Sequence, residues 1–420
     1  MTEPLLLKVD ADRVVAELTK LATFNDCRDG PPAVTRVVFT DQDLRAREYL
    51  RDLYEDAGLQ VRVDAVGNTF ARWIGKQPGL PIVGTGSHTD AIPFSGMYDG
   101  TVGVVGGLEA IRALKRSGYS PDRSIELLMF TSEEPTRFGI GCTGSRVLAG
   151  RLNEEQLEQL TDEQGDNYNT VRRNAGFEGT IASAVLDRSY YHAWIELHIE
   201  QGPELEARQL PIGVVTAIAA PATMTVDLAG EGGHAGAVLM PRRRDALCAA
   251  AEMVQSIESF ARKSSSDDLV ATVGELSVHP CAVNSIPSRA KFTIDLRDVR
   301  EDSRNQCKQE IEASIRRIAE RRRVTATIDT VNADPPAPAS PEIVKAAEQA
   351  CQASGLPYQK MVSRAYHDSL FIAEIAPIGM LFIPCRNGVS HRPDEYSSPT
   401  EIAAGVEILA RTMAELATAP

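Results

Sequence analysis

The sequence predicts an α/β protein, with a parallel-rich central sheet flanked by helices and a smaller α+β domain inserted into it. Three observations predict this. Apolar runs in the first half alternate between strand and helix spacing, the order that builds a parallel sheet covered on both faces. After Pro211 the pattern changes to alternating strands separated by amphipathic helices, the grammar of one sheet with helices on one face. The proline-rich run 334–341 (DPPAPASP) then reads as a linker, beyond which the first pattern resumes. The chain of 420 residues also exceeds the length, about 250–300, at which a single core stops growing. The expected boundaries are 1–212 and 331–420 for the divided larger domain and 213–330 for the inserted one.

Taken in order, residues 11–24 and 42–57 place apolar side chains at helical spacing. Residues 60–66 and 69–74 read as a hairpin around Gly67-Asn68, and 82–86 as a short buried strand. A helix over 101–115, a second buried strand over 124–130 (SIELLMF) and a third over 193–200 (AWIELHIE) complete the first half. The inserted domain should hold strands at 224–228 and 292–299 and helices near 244–262 and 303–321. A strand at 380–384 and a helix from about Thr400 close the chain.

Composition narrows the function classes. No run of about 18 apolar residues exists to span a bilayer. The start Met1-Thr2-Glu3-Pro4, followed by Leu5-Leu6-Leu7, is acidic where a secretory signal is basic, so a cytoplasmic location is expected. Seven scattered cysteines without a C-x-x-C pair suggest reduced thiols rather than a disulfide framework or a zinc ribbon. A net charge of −14 opposes a phosphate-backbone partner, and Arg321-Arg322-Arg323 closes a helix, where cations suit the dipole. Neither nucleic acid nor a membrane is expected as a partner.

Chemistry concentrates in four segments. Gly86-Ser87-His88-Thr89-Asp90 follows an apolar strand, with Tyr98-Asp99-Gly100 close behind. Ligands bind at strand ends in such sheets, and histidine with carboxylate is a donor set for a divalent ion. Thr131-Ser132-Glu133-Glu134 follows a second strand, and its adjacent carboxylates project differently, so one can ligate while the other moves a proton. The third segment is Glu196-Leu197-His198-Ile199-Glu200-Gln201 and the fourth Ser390-His391-Arg392-Pro393-Asp394-Glu395. A lone histidine is usually a satisfied polar residue; three of only seven beside carboxylates at strand ends are not a random placement. His192 and His279 match no such pattern and read as structural, and Gly103, Gly106 and Gly107 lack the order of a nucleotide loop.

With GSHTDAIPFSGMYDG, TSEEPTRFGIGCTGSR, ELHIEQGPELE, GGHAGAV and SHRPDEYSS the chain resembles the hydantoinase/carbamoylase-type amidases. That group includes N-carbamoyl-L-amino acid hydrolases, allantoate amidohydrolases and ureidoglycolate amidohydrolases, within the wider aminoacylase and dipeptidase metallohydrolases. The resemblance runs from about Phe39 to the C-terminal helix. It implies a zinc-peptidase-like catalytic domain with an inserted lid and dimerisation domain, and a homodimer made through that insertion. It implies two divalent ions per subunit (zinc or manganese, with cobalt or nickel also suited), held by His88, Asp99, Glu134, His198 and His391, with Asp99 bridging. Glu133 matches the general base, and Asp90 matches the outer carboxylate that orients His88. His234 matches a residue facing the oxyanion, in some members from the neighbouring subunit; Asn284 and Arg297 match binders of the substrate carboxylate, while Gln201 and His367 match further substrate contacts. For Arg297 a plain salt bridge with Asp295 or Asp298 is the competing reading.

The implied reaction is hydrolysis of the ureido C–N bond of a small carboxylate, releasing ammonia and CO2. Ser95-Gly96-Met97-Tyr98-Asp99 and Ala365-Tyr366-His367-Asp368 depart from the carbamoyl-amino-acid pattern and look closer to ureidoglycolate amidohydrolases, where Tyr366 would address the substrate hydroxyl. N-carbamoyl-L-amino acids and allantoate are the alternatives. From other classes, a dipeptidase or aminopeptidase would use the same metal platform, and a non-catalytic binding protein would have no use for Glu133.

Overall fold

The apolar run Ile82–His88 is buried at every position and lies inside a nine-stranded sheet. It pairs in parallel with Tyr191–Ile199 on one side and Ile125–Phe130 on the other, and Ile378–Ile383 extends the parallel set beyond Tyr191–Ile199. The helix Thr101–Arg116 lies on the connection from Ile82–His88 to Ile125–Phe130, burying Val104, Val105, Leu108 and Ile111 in a core shared with Leu197 and Val406. Strands buried on both faces read as continuous apolar runs, which is why these were visible in the sequence. The expected α/β class and parallel-rich sheet are what the computed structural model shows; it describes residues 6–419, so the acidic start Met1–Leu5 lies outside the described residues.

The flanks of the sheet are antiparallel. Gln60–Val63 pairs with Thr69–Trp73, which pairs with Ile125–Phe130, and Ile212–Ile218 pairs with Ile378–Ile383. The first strand of the hairpin stops at Val63, short of residue 66, because the Asp64 carboxylate turns the chain by accepting the amides of Val66 and Asn68. The C-terminal helix, Pro399–Leu416, starts in a capping box in which Ser398 and Glu401 serve each other's backbone amides. Among the described residues, no helix is long and apolar enough to cross a membrane, and all seven cysteines are free.

The chain divides into two compact units: Met1–Thr216 with Pro338–Met361 and His367–Pro420, and Ala217–Ala337 with Val362–Tyr366. The return segment at residues 362–366 has no counterpart in the boundaries read from hydropathy. The second unit is an antiparallel sheet in the order Val270–Thr272, Arg289–Asp298, Ala220–Ala229, Thr325–Ala333, with Leu276–His279 also on Arg289–Asp298. Along Arg289–Asp298 burial alternates, so Ala290, Phe292, Ile294 and Leu296 face the helices Ala246–Arg262 and Glu301–Arg322 while Arg289, Lys291 and Arg297 face away.

Candidate active site

Strand ends bring the candidate residues of the first unit together. His88 ends Ile82–His88, Glu133 and Glu134 follow Ile125–Phe130, and His198 lies at the end of Tyr191–Ile199. Because the three strands are parallel neighbours, their C-terminal ends open on one edge. Asp99 arrives just before the helix Thr101–Arg116, and His391 on the loop after the fourth parallel strand, Ile378–Ile383.

Asp99 stands between two groups of donors. Its Oδ1 lies 3.1 Å from His198 Nε2 and 3.8 Å from His88 Nε2. Its Oδ2 lies 2.9 Å from His391 Nε2, which is itself 3.4 Å from Glu134 Oε1. Within each trio the donor atoms lie within 4.8 Å of one another. His88 Nδ1 is 3.0 Å from the backbone oxygen of Asp90 and His198 Nδ1 is 2.9 Å from that of Ile199. A proton on each Nδ1 leaves the Nε2 lone pairs aimed at the carboxylate, an arrangement of acceptors that needs a cation or proton between them. Ligands bound at about 2.0–2.2 Å around one ion are spaced much as these atoms are, so the donor set fits a divalent metal. Gly100 makes the packing possible: its φ is +64°, and a Cβ there would sit 2.4 Å from His88 Nε2.

Burial alone would raise the Asp99 carboxyl, but His198, His391 and His88 around it hold it well below the usual carboxylate range. The same contact, with Glu134, pushes His391 up to about 11. Glu133 goes the other way. Burial, reinforced by Glu134, Asp368 and Asp90 and opposed by His88, pushes its carboxyl well above the ordinary value, as a proton carrier requires. Glu133 Oε2 lies 3.7 Å from His88 Nε2, beside the group but outside both trios.

Asp90 touches both the His88 ring and the turn that carries the two glutamates. The His88 ring is met by the backbone oxygen of Asp90, while its carboxylate Oδ1 is 3.6 Å away. That carboxylate instead accepts the amides of Glu133, at 3.3 Å, and Glu134, at 3.0 Å. The turn after Phe130 points its amides back at the neighbouring strand end, so the Asp90 carboxylate meets that turn as well as the imidazole.

Gln201, at φ +56°, donates from Nε2 to Asp99 Oδ2 at 3.0 Å and to Ser390 Oγ at 3.2 Å, and its Oε1 is buried without a partner. His367 is buried with its ring centroid 4.5 Å from that of His198. In the second unit the short strand Gly233–His234 pairs with Ser285–Ile286, and the Ala235 amide donates to the Asn284 oxygen, so His234 and Asn284 are neighbours there, both exposed. Arg297 makes a two-pronged pair with Asp295, at 2.9 and 2.8 Å, and donates to the Arg364 oxygen. The Tyr366 hydroxyl donates to Asp334 Oδ2 at 3.1 Å, within the same unit. His192 and His279 are exposed and join neither trio.

Three contributors were not read from the sequence. The Cys142 thiol is 3.5 Å from Glu133 Oε1, the buried Asp368 accepts from Ser145 and is pushed up to about 8 by burial, and Glu395 binds the backbone at Asp99. Only the fourth motif carried a hint of the last. Compared with known proteins, residues 84–415 match Peptidase family M20/M25/M40. The chain is 50% identical over 417 residues to ureidoglycolate hydrolase of Arabidopsis thaliana, covering 98% of this chain and 87% of that protein. It is 37% identical over 412 residues to N-carbamoyl-L-amino-acid amidohydrolase of Paenarthrobacter aurescens, covering 98% and 99%. The crystal structure of AtUAH in complex with (S)-hydroxyglycine superposes with a TM-score of 0.89 at 50% identity, covering 98% of each chain.

Proposed function

The chain belongs to Peptidase family M20/M25/M40, and on that premise we propose that it is an amidohydrolase of ureidoglycolate, active with two divalent ions. The observation that carries the reading is the 50% identity to ureidoglycolate hydrolase across nearly the whole chain. Ureidoglycolate is N-carbamoyl hydroxyglycine. Addition of water at its ureido carbonyl and cleavage of the C–N bond to the α-nitrogen give hydroxyglycine and carbamate, which decomposes to ammonia and CO2.

His88 and His198 on one side of Asp99, and Glu134 and His391 on the other, would hold the ions, zinc or manganese first among them. Bound there, they would supply Lewis acidity at the carbonyl and make hydroxide available near neutral pH. Glu133 takes the proton of the attacking water and hands it to the leaving nitrogen. Gln201 offers its unpartnered Oε1 to a ureido N–H, and His367 contributes a second polar contact. From the second unit we assign the substrate carboxylate to Asn284 and Arg297 and the developing oxyanion to His234. To Tyr366, a phenol that donates to Asp334, we assign recognition of the substrate hydroxyl. A homodimer through the inserted unit and a cytoplasmic location complete the proposal.

Ammonia release by chelator-stripped protein reloaded with Mn²⁺ or Zn²⁺ tests it, with ureidoglycolate, allantoate, several N-carbamoyl-L-amino acids and a dipeptide as substrates. Ureidoglycolate is expected to turn over fastest. Faster turnover of allantoate or a carbamoyl amino acid would keep the chemistry and discard the substrate, whereas a preferred dipeptide or metal-independent activity would discard both.

A further inference from the structure

Glu395 is buried, and its carboxylate spans two segments far apart in the chain. Oε1 accepts the backbone amides of Tyr98 and Asp99 at 2.9 and 3.0 Å. Oε2 accepts the Ser390 hydroxyl at 2.9 Å and the His391 amide at 3.2 Å. Resting on the reading that Asp99 and His391 hold a cation together, we infer that Glu395 is a positioning residue that fixes the width of the Asp99–Glu134–His391 group.

Three observations support this. A carboxylate offers about four acceptor sites, and all four are taken by N–H and O–H donors, so Glu395 shapes the group without being one of its ligands. His391 has a left-handed backbone, φ +59°, a conformation that a non-glycine residue keeps only when its surroundings hold it, and the bond from its amide to Glu395 does so. Gly96 leaves room for the clamp: a Cβ there would lie 2.4 Å from Glu395 Cβ. Glycine in the SGMYDG segment and glutamate in SHRPDE are thus two halves of one contact.

The test compares wild type with Glu395→Gln, Ser390→Ala and Gly96→Ala. Each protein is stripped with chelator, its Tm is recorded, and it is titrated with Mn²⁺ or Zn²⁺, with bound metal counted by mass spectrometry. Glutamine keeps one acceptor oxygen but turns an N–H against backbone amides that cannot reorient. Glu395→Gln is therefore expected to weaken one of the two ions about 10–100-fold while the other and the stripped Tm stay near wild type. Ser390→Ala, which leaves the carboxylate in place and removes one of its four donors, should shift the same ion less; Gly96→Ala, whose methyl group displaces Glu395, should weaken that ion too, and these two variants carry the test if Glu395→Gln does not fold. Unchanged affinity for both ions, or equal loss of both together with a lowered stripped Tm, would overturn the clamp and leave the metal reading standing. A wild-type protein that takes up no ion would overturn that reading and the clamp with it.

Discussion

Glu133→Gln lowers kcat by about 10²–10⁴-fold while the reloaded protein still takes up its metal. The substitution keeps the size of the side chain and the backbone N–H that donates to Asp90, so the loop after Ile125–Phe130 has no reason to move. What it removes is a buried carboxylate that lies beside His88 and belongs to neither donor trio around Asp99. Burial and its acidic neighbours make that group hold a proton more readily than an exposed glutamate, which is what the proposed proton transfer needs. Metal content and kcat measured on the same preparation decide the matter. Metal lost with activity would make Glu133 a ligand, and activity retained would remove it from proton transfer altogether.

Asp99→Ala abolishes both metal sites, where His391→Ala weakens one. Asp99 contributes Oδ1 to the group with His88 and His198 and Oδ2 to the group with Glu134 and His391, so its loss removes an anionic donor from each. In the alanine variant three imidazoles face an empty centre, and turnover should fall to background at metal concentrations that saturate wild type. Equilibrium dialysis followed by elemental analysis reads the stoichiometry directly. Retention of two equivalents by Asp99→Ala would show that the two groups do not share this carboxylate.

Much of this was legible because it is local. Ile82–His88, Ile125–Phe130 and Tyr191–Ile199 are buried parallel strands whose apolar runs announce themselves, and each delivers a histidine or glutamate at its end. The strand Ala91–Ser95 was not legible: proline and a positive φ at Phe94 interrupt its pattern, and it exists through its pairing with Val34–Arg36. Sequence left two readings of Arg297 side by side, and the structure shows its side chain on Asp295, two residues away.

By itself the sequence determined the residue chemistry, the strand and helix periods, and the placement of His88, Glu133, Glu134 and His198 at strand ends, all properties of short stretches of chain. Tertiary structure alone decided which oxygen of Asp99 meets which histidine, that Asp90 serves the amides of Glu133 and Glu134, and that Glu395 ties residues 297 positions apart. The physical reason is that a hydrogen bond or shared donor depends on positions good to a few tenths of an ångström, and those are set by how whole strands and loops pack rather than by any residue's neighbours in sequence.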